Sequence, residues 1–195
     1  MILGQLGMRF IVDPSEVPEP NRNPGEKMSE FAIRVARLKA EETARRHKSG
    51  IVLAADTIVV CGNNILGKPS DKGDAGRMLN ILSGRWHEVI SGICLLDIAR
   101  HSTRNSFSRT RVHFRRLSPA EIEWYLKSGE YRDKAGAYGA QGRASIFIDK
   151  IDGCFFNVVG LPVAAFNALC RKSGIDLTQE FSAFSRQQSA FSDDH

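Results

Sequence analysis

The stretch IVLAADTIVV, residues 51–60, constrains the fold more than any other part of the chain. Apolar and mostly β-branched residues stand on both sides of Asp56 and Thr57, which is how a strand covered on both faces reads. A buried, unpartnered carboxylate costs several kcal/mol. Asp56 is therefore expected at a strand end facing a cleft, or beside a cation, and ligand crevices of α/β sheets open at such ends. Taken alone, Asp56 and Thr57 also read as residues that cap a turn.

The rest of the chain mixes helix and strand signals. MILGQLG reads as a last helical turn closed by Gly7, with a strand through Ile11 and Val12 after it. Residues 13–25 hold four of the seven prolines and predict an irregular loop. A helix follows with Ser29 as N-cap and a stripe of Phe31, Ile33, Val35, Ala36 and Leu38. CGNN predicts a hairpin turn leading into ILGKP. A helix from Asp71 stops at Gly84, and strands are expected at HEVISGICLLDI and TRVHFRRL. SPAEIEWYLKSG carries a capping box, Ser118 with Glu121, and a closing Gly129. Glycines 136, 139 and 142 precede a further strand, and a last helix begins near Pro162. Residues 1–174 are read as one α/β or α+β domain and residues 175–195 as a flexible tail.

With 42% hydrophobic and 25% charged residues among 195, the chain is that of a folded globular protein. Its net charge of +5 favours phosphate-bearing partners. RTRVHFRR (109–116) alternates like a half-exposed strand and lacks the aromatic interleaving of a nucleic-acid platform, so a solvated strand face is the preferred reading. Cys61, Cys94, Cys154 and Cys170 lie far apart, without a C-x-x-C pair or a secretory leader. Free thiols and a cytoplasmic location are expected, and no apolar run reaches the roughly 18 residues of a membrane span.

Several residues could carry chemistry. Lys68 in GKPSD is held between glycine and proline, where it can aim at a phosphate or simply be solvated. RDKAGAYGAQG (132–142) spaces its glycines so that backbone N–H groups can approach an anion, with Lys134 adding charge and Gln141 an amide for a base edge. It is neither a Walker A loop nor a dinucleotide fingerprint, and plain turn chemistry remains its other reading. Glu16 and Glu19 are candidate metal carboxylates on an otherwise solvated loop. Arg34 and Lys39 read as the exposed face of their helix. The histidines lack metal-ligand spacing, and neither a nucleophile elbow nor an activated cysteine is present.

ADTIVV, GKPSD, LSGRWHEV, DKAGAYGAQGRASIFI and GCFFNVVGLP, in this order from about Leu3 to Gly174, closely resemble the Maf family of nucleoside triphosphate pyrophosphatases. RLKA with Lys39 and SEVPE with Glu19 fit the same pattern. The resemblance implies an elongated, two-lobed α/β fold with a mixed sheet, flanking helices and a central cleft, related to the inosine triphosphate pyrophosphatases and often homodimeric. It implies hydrolysis of a nucleoside triphosphate to monophosphate and pyrophosphate with Mg²⁺ or Mn²⁺, and the ADT and DKAGAYGAQG forms resemble the branch acting on dTTP and UTP. Asp56 would be the catalytic acid and a metal ligand with Glu19. Lys39, Lys68 and Lys134 would hold the triphosphate and Gln141 would help select the base. Family members begin with a strand and a Ser-x-Ser-Pro-Arg-Arg phosphate loop, and the present sequence is expected to start beyond them. The same resemblance implies a role in restraining cell division; two rival expectations are a catalytically impaired nucleotide binder acting through a partner, and a nucleic-acid binder using residues 109–116.

Overall fold

The computed structural model describes residues 2–178; residues 179–195 of the expected tail lie outside the described residues. A five-stranded sheet forms the centre, in the order β2-β1-β3-β4-β5. The strands are β1 (Ile51–Cys61), β2 (Asn64–Leu66), β3 (Trp86–Asp97), β4 (Ser102–Phe114) and β5 (Ile148–Asp152). Every pairing is antiparallel. The resemblance implies a mixed sheet; among the described residues its strands are antiparallel throughout, with tight turns joining β1 to β2 and β3 to β4 where parallel pairs would need crossovers.

Strand alternation sorts the two faces of the sheet. The even-numbered residues of β1 meet the helix α2 (Met28–Ala44), whose Phe31, Ala32, Val35, Ala36 and Ala40 are buried at helical spacing. The helix can lie this close because β3 presents Gly92 to it: a Cβ there would stand 2.3 Å from the Ala32 carbonyl carbon. Its N-cap is Lys27 and not Ser29. The reason is Glu30, whose carboxylate reaches back to the Lys27 N–H at 3.4 Å and moves the helix start two residues earlier.

The odd-numbered face carries two separate cores. At one end Val59 and Cys61 join Leu66, Val89 and Phe114 under α3 (Lys72–Leu82), α4 (Pro119–Ser128) and the 3₁₀ turns Ala135–Ala137 and Arg143–Phe147. At the other, Leu53, Ala55, Ile93 and Leu95 pack against Phe166, Leu169 and Cys170 of α6 (Val163–Lys172), with Ile175 and Leu177 closing the cluster. Between them Ser91, bonded to its cross-strand partner Thr57, donates to the Asn157 carbonyl of the short helix α5 (Phe155–Val159). The interior is thus split by a polar seam into two lobes on one sheet.

Local signals were obeyed where they were strong. Asp71 caps α3 by accepting from the Asp74 N–H at 2.8 Å. Ser118 and Glu121 form the capping box of α4, and Gly129 ends it with φ 75°. The first helix, α1 (Ile2–Gln5), is followed by Gly7 at φ 74° as expected. The predicted strand through Ile11 and Val12 is absent: both side chains are exposed, and no ladder pairs the segment. An extended segment without a partner strand has no ladder bonds to define it. Among the described residues no helix is long and apolar enough to cross a membrane.

Candidate active site

Lys39 sits three residues after Ala36 and four before Thr43, on the buried stripe of α2 and not on its exposed face. Its Nζ donates to Asp56 Oδ1 at 2.6 Å, with side-chain exposures of 23% and 13%. Asp56 is in the middle of β1, paired with Gly92, and not at a strand end. Its outlet is lateral: β2 pairs only with Val59–Cys61, so the preceding part of β1 has no neighbour on that edge among the described residues. A carboxylate at an open edge keeps access to water and to ligands while its strand stays in the sheet.

A second pair lies beside the first. Lys68, in the loop after β2, donates to Glu19 Oε1 at 2.7 Å, and both side chains are about half exposed. That hydrogen bond holds the Glu19 carboxyl below its ordinary range, against some desolvation, and the charges of Lys68 and Lys39 add to it. Lys68 is raised, first by the bond to Glu19 and further by the negative charges of Asp133 and Asp56. The two pairs therefore feel each other's charge.

The proline-rich loop reaches the site because α2 and the turn just after it pin both of its ends. Arg34 donates to Glu26 at 2.7 and 2.9 Å and to the Asn21 carbonyl at 3.0 Å. Arg46 donates to Asp13 and to the Pro14 carbonyl, and the Glu16 N–H bonds Glu42. Glu19 is carried between these anchors. Arg34, expected on a solvated face, is instead part of this loop's scaffold.

The glycine-rich loop adjoins from the other side. Gly136 has φ 69°, donates its N–H to the Gly67 carbonyl at 3.0 Å, and lies so close to β1 that a Cβ would meet Val59 Cγ1 at 3.0 Å. Only glycine satisfies both conditions. Lys134 lays its stem across Gly139, where a Cβ would come within 2.9 Å of Cε. Lys134 and Gln141 are exposed. The structure thus unites Lys39, Asp56, Lys68 and Glu19, and leaves Lys134 and Gln141 on the neighbouring loop without a bond to those four.

Sequence reading passed over Asp133, which faces Lys68 electrostatically and has φ 59°. An aspartate before a lysine and a glycine in a turn is the signal that could have found it. A groove of about 1010 Å³ runs beside the open edge of β1, lined by Lys39, Leu53, Ala55 and Phe166 among others. The basic strand β4 is matched by acids: Arg109 faces Glu88, Arg111 faces Asp152, and His113 bonds Asp149 at 2.6 Å. This agrees with a solvated strand face.

Among the described residues no group of three or more His, Cys, Asp or Glu side chains stands ready for a metal. Asp56 and Glu19, each paired with a lysine, are nevertheless carboxylates of the kind that Mg²⁺ uses when water and substrate phosphates complete its shell. The residues present fit such an ion. Each carboxylate is neutralised by a lysine in this structure.

The chain matches the family model described as Maf-like protein over residues 1–173. A dTTP/UTP pyrophosphatase of Syntrophomonas wolfei is 48% identical over 176 residues, covering 90% of this chain and 93% of the relative. Proteins of the same name from Anaeromyxobacter dehalogenans and Carboxydothermus hydrogenoformans are 44% and 42% identical. They cover 92% and 89% of this chain, and 91% and 92% of their own lengths.

Proposed function

The chain belongs to the Maf-like protein family, and we propose that it is a nucleoside triphosphate pyrophosphatase that hydrolyses dTTP and UTP to the monophosphate and pyrophosphate. The observation that carries this reading is the pairing of Lys39 with Asp56 beside Lys68 with Glu19 at the open edge of β1. The names of the relatives supply the substrate class.

A triphosphate entering this site takes the lysines as its partners: Lys39 and Lys68 turn from carboxylate to phosphate oxygens, and Lys134 adds a third positive charge from the glycine-rich loop. The carboxylates of Asp56 and Glu19 are released for a divalent cation, Mg²⁺ or Mn²⁺. Such a cation would supply positive charge to neutralise the phosphates. Asp56 orients a water molecule and accepts its proton as the water oxygen bonds to the α-phosphorus. The bond from the α-phosphorus to the bridging oxygen breaks, and pyrophosphate departs with the electron pair. Gln141 presents an amide to the base. The protein's own part is positioning and charge neutralisation, and no covalent intermediate is required.

The four cysteines are free thiols, which supports a reducing compartment and the cytoplasmic location proposed here. A homodimer is proposed from the family resemblance, and sedimentation velocity tests it.

Pyrophosphate release from dTTP, UTP, CTP and 7-methyl-GTP with Mg²⁺ or Mn²⁺ tests the reading. Turnover is expected for dTTP and UTP, and Asp56→Asn is expected to lower kcat by about 10²–10⁴-fold with the fold intact. Full turnover by Asp56→Asn would overturn the role of Asp56. Metal-dependent binding of dTTP by the unaltered protein with no pyrophosphate released would overturn the enzyme and leave a binder.

A further inference from the structure

The loop bearing Lys134 and Gln141 is exposed at both of these residues, yet its centre is anchored in the larger core. Tyr138, four residues after Lys134 and three before Gln141, is 6% exposed. Its ring meets Phe114 edge-on at 4.8 Å and His87 at 5.5 Å, and its hydroxyl lies 2.8 Å from His87 Nε2. His87 is 2% exposed on β3, opposite Val112 of β4, with its ring against Phe114. Both groups are almost closed to solvent, so a displaced loop would leave the Tyr138 hydroxyl and His87 Nε2 unpaired together. Apolar packing alone holds such a loop by area and tolerates sliding. A buried hydrogen bond fixes one placement.

We propose that His87 is a positioning residue for nucleotide binding: through the Tyr138 hydroxyl it sets where Lys134 and Gln141 stand relative to Lys68 and Asp56. The proposal rests on the assignment of Lys134 and Gln141 to the substrate made above. The second tie of the loop, from the Gly136 N–H to the Gly67 carbonyl, links it to the loop of Lys68, so a shift at Tyr138 also reaches the phosphate side. Burial keeps both partners uncharged: His87 is pushed down to about 4 and the Tyr138 phenol is pushed up. The bond therefore exists in one protonation state throughout the neutral range. His87 touches no reacting atom, and its contribution lies in binding and base selection.

The test compares His87→Phe, Tyr138→Phe, their double variant and His87→Gln with Lys134→Ala and Gln141→Ala, using dTTP and CTP as substrates. Loss of the bond is expected to raise KM for dTTP about tenfold and to narrow the preference for dTTP over CTP, with kcat changed less than threefold because Lys39 and Asp56 rest on α2 and β1. The double variant should be no worse than either single one, and His87→Gln, which can still bond the phenol, should recover most of the loss. Tyr138→Phe keeps the ring and carries the test alone should His87→Phe fail to fold. Unchanged KM and preference in folded Tyr138→Phe, while Lys134→Ala and Gln141→Ala raise KM, would overturn the inference and leave the substrate reading standing. If Lys134→Ala and Gln141→Ala also bind dTTP normally, the loop is not part of the substrate site and both fall together.

Discussion

The two faces of the central sheet handle polarity in opposite ways. On the α2 face the polar groups are a charged pair, Lys39 with Asp56, placed at the free edge of β1 where 23% and 13% of the side chains still reach solvent. On the other face they are neutral and closed in. Thr57 bonds Ser91 at 2.8 Å, and Asn157 donates to the Val89 carbonyl at 2.9 Å and to Thr110 at 3.0 Å. Ser91, Thr110 and Asn157 are each at most 1% exposed. Charge is costly to bury even when paired, whereas hydroxyls and amides are tolerated once they are bonded. The edge is where this fold can keep reactive groups, and the seam holds the two lobes in register.

The comparison is broken most severely at Gly92, opposite Asp56, where α2 touches the sheet. Gly92→Ala puts a methyl group 2.3 Å from the backbone of Ala32, and a helix backbone cannot yield as a side chain would. A loss of about 3 kcal/mol or more is expected, near the upper end of overpacking. For a domain of this size it would appear as a melting temperature lower by about 6–12 °C. Because the same helix carries Lys39, dTTP turnover should fall with it. An unaltered melting temperature would mean that α2 does not rest on Gly92.

How much of this was legible in the sequence depends on the range of the signal. The box at Ser118 and Glu121, the Asp71 cap and the hairpin between Cys61 and Asn64 are local, and each stands where its residues predict. The strand through Ile11 and Val12 fails because a strand needs a partner that no local pattern supplies. Asp56 stands out in the sequence as a carboxylate in an apolar run, but its mid-strand place could not be read, since the free edge is a property of which strands pair. Lys39 was assigned to the site by family resemblance. The spacing of Ala32, Ala36, Lys39 and Thr43 would have placed it on the inner stripe. Glu19 and Asp133 reach Lys68 through loops, where spacing carries no period. Tyr138 and His87 are 51 positions apart, and nothing short of the fold joins them.

The next effect separates the buried neutral pair from the surface acids by pH. His87 takes up a proton near 6.5 when unfolded and only near 4 when folded. Between those values the unfolded chain binds more protons, so stability is full above pH 6.5 and declines as pH falls toward about 4. The slope approaches about 1.4 kcal/mol per pH unit, or about 3 kcal/mol in all. Glu26 and Glu121, held at about 2 by Arg34 and Arg115, withdraw their contribution only below 4.5. Urea unfolding at pH 7, 5.5 and 4.5 should show the decline in the parent protein and a flatter course in His87→Phe. Equal slopes in the two proteins would remove His87 as the cause.

The smallest effect tests the order of hydrogen bonds in the seam. Ser91 Oγ donates to the Asn157 carbonyl at 3.3 Å, and with its one hydrogen spent there it can only accept from Thr57. Thr57→Val then removes a donor whose acceptor remains bonded elsewhere, and Thr57 is only partly buried. A loss of about 1 kcal/mol is expected. Ser91→Ala is a harsher change at the same bond, because Ser91 is fully buried and both of its neighbours lose a partner. Chemical denaturation should rank Ser91→Ala as the more destabilised of the two. The reverse ranking would mean that the hydrogens run the other way, from Ser91 to Thr57, and that the seam is closed from the β1 edge and not from α5.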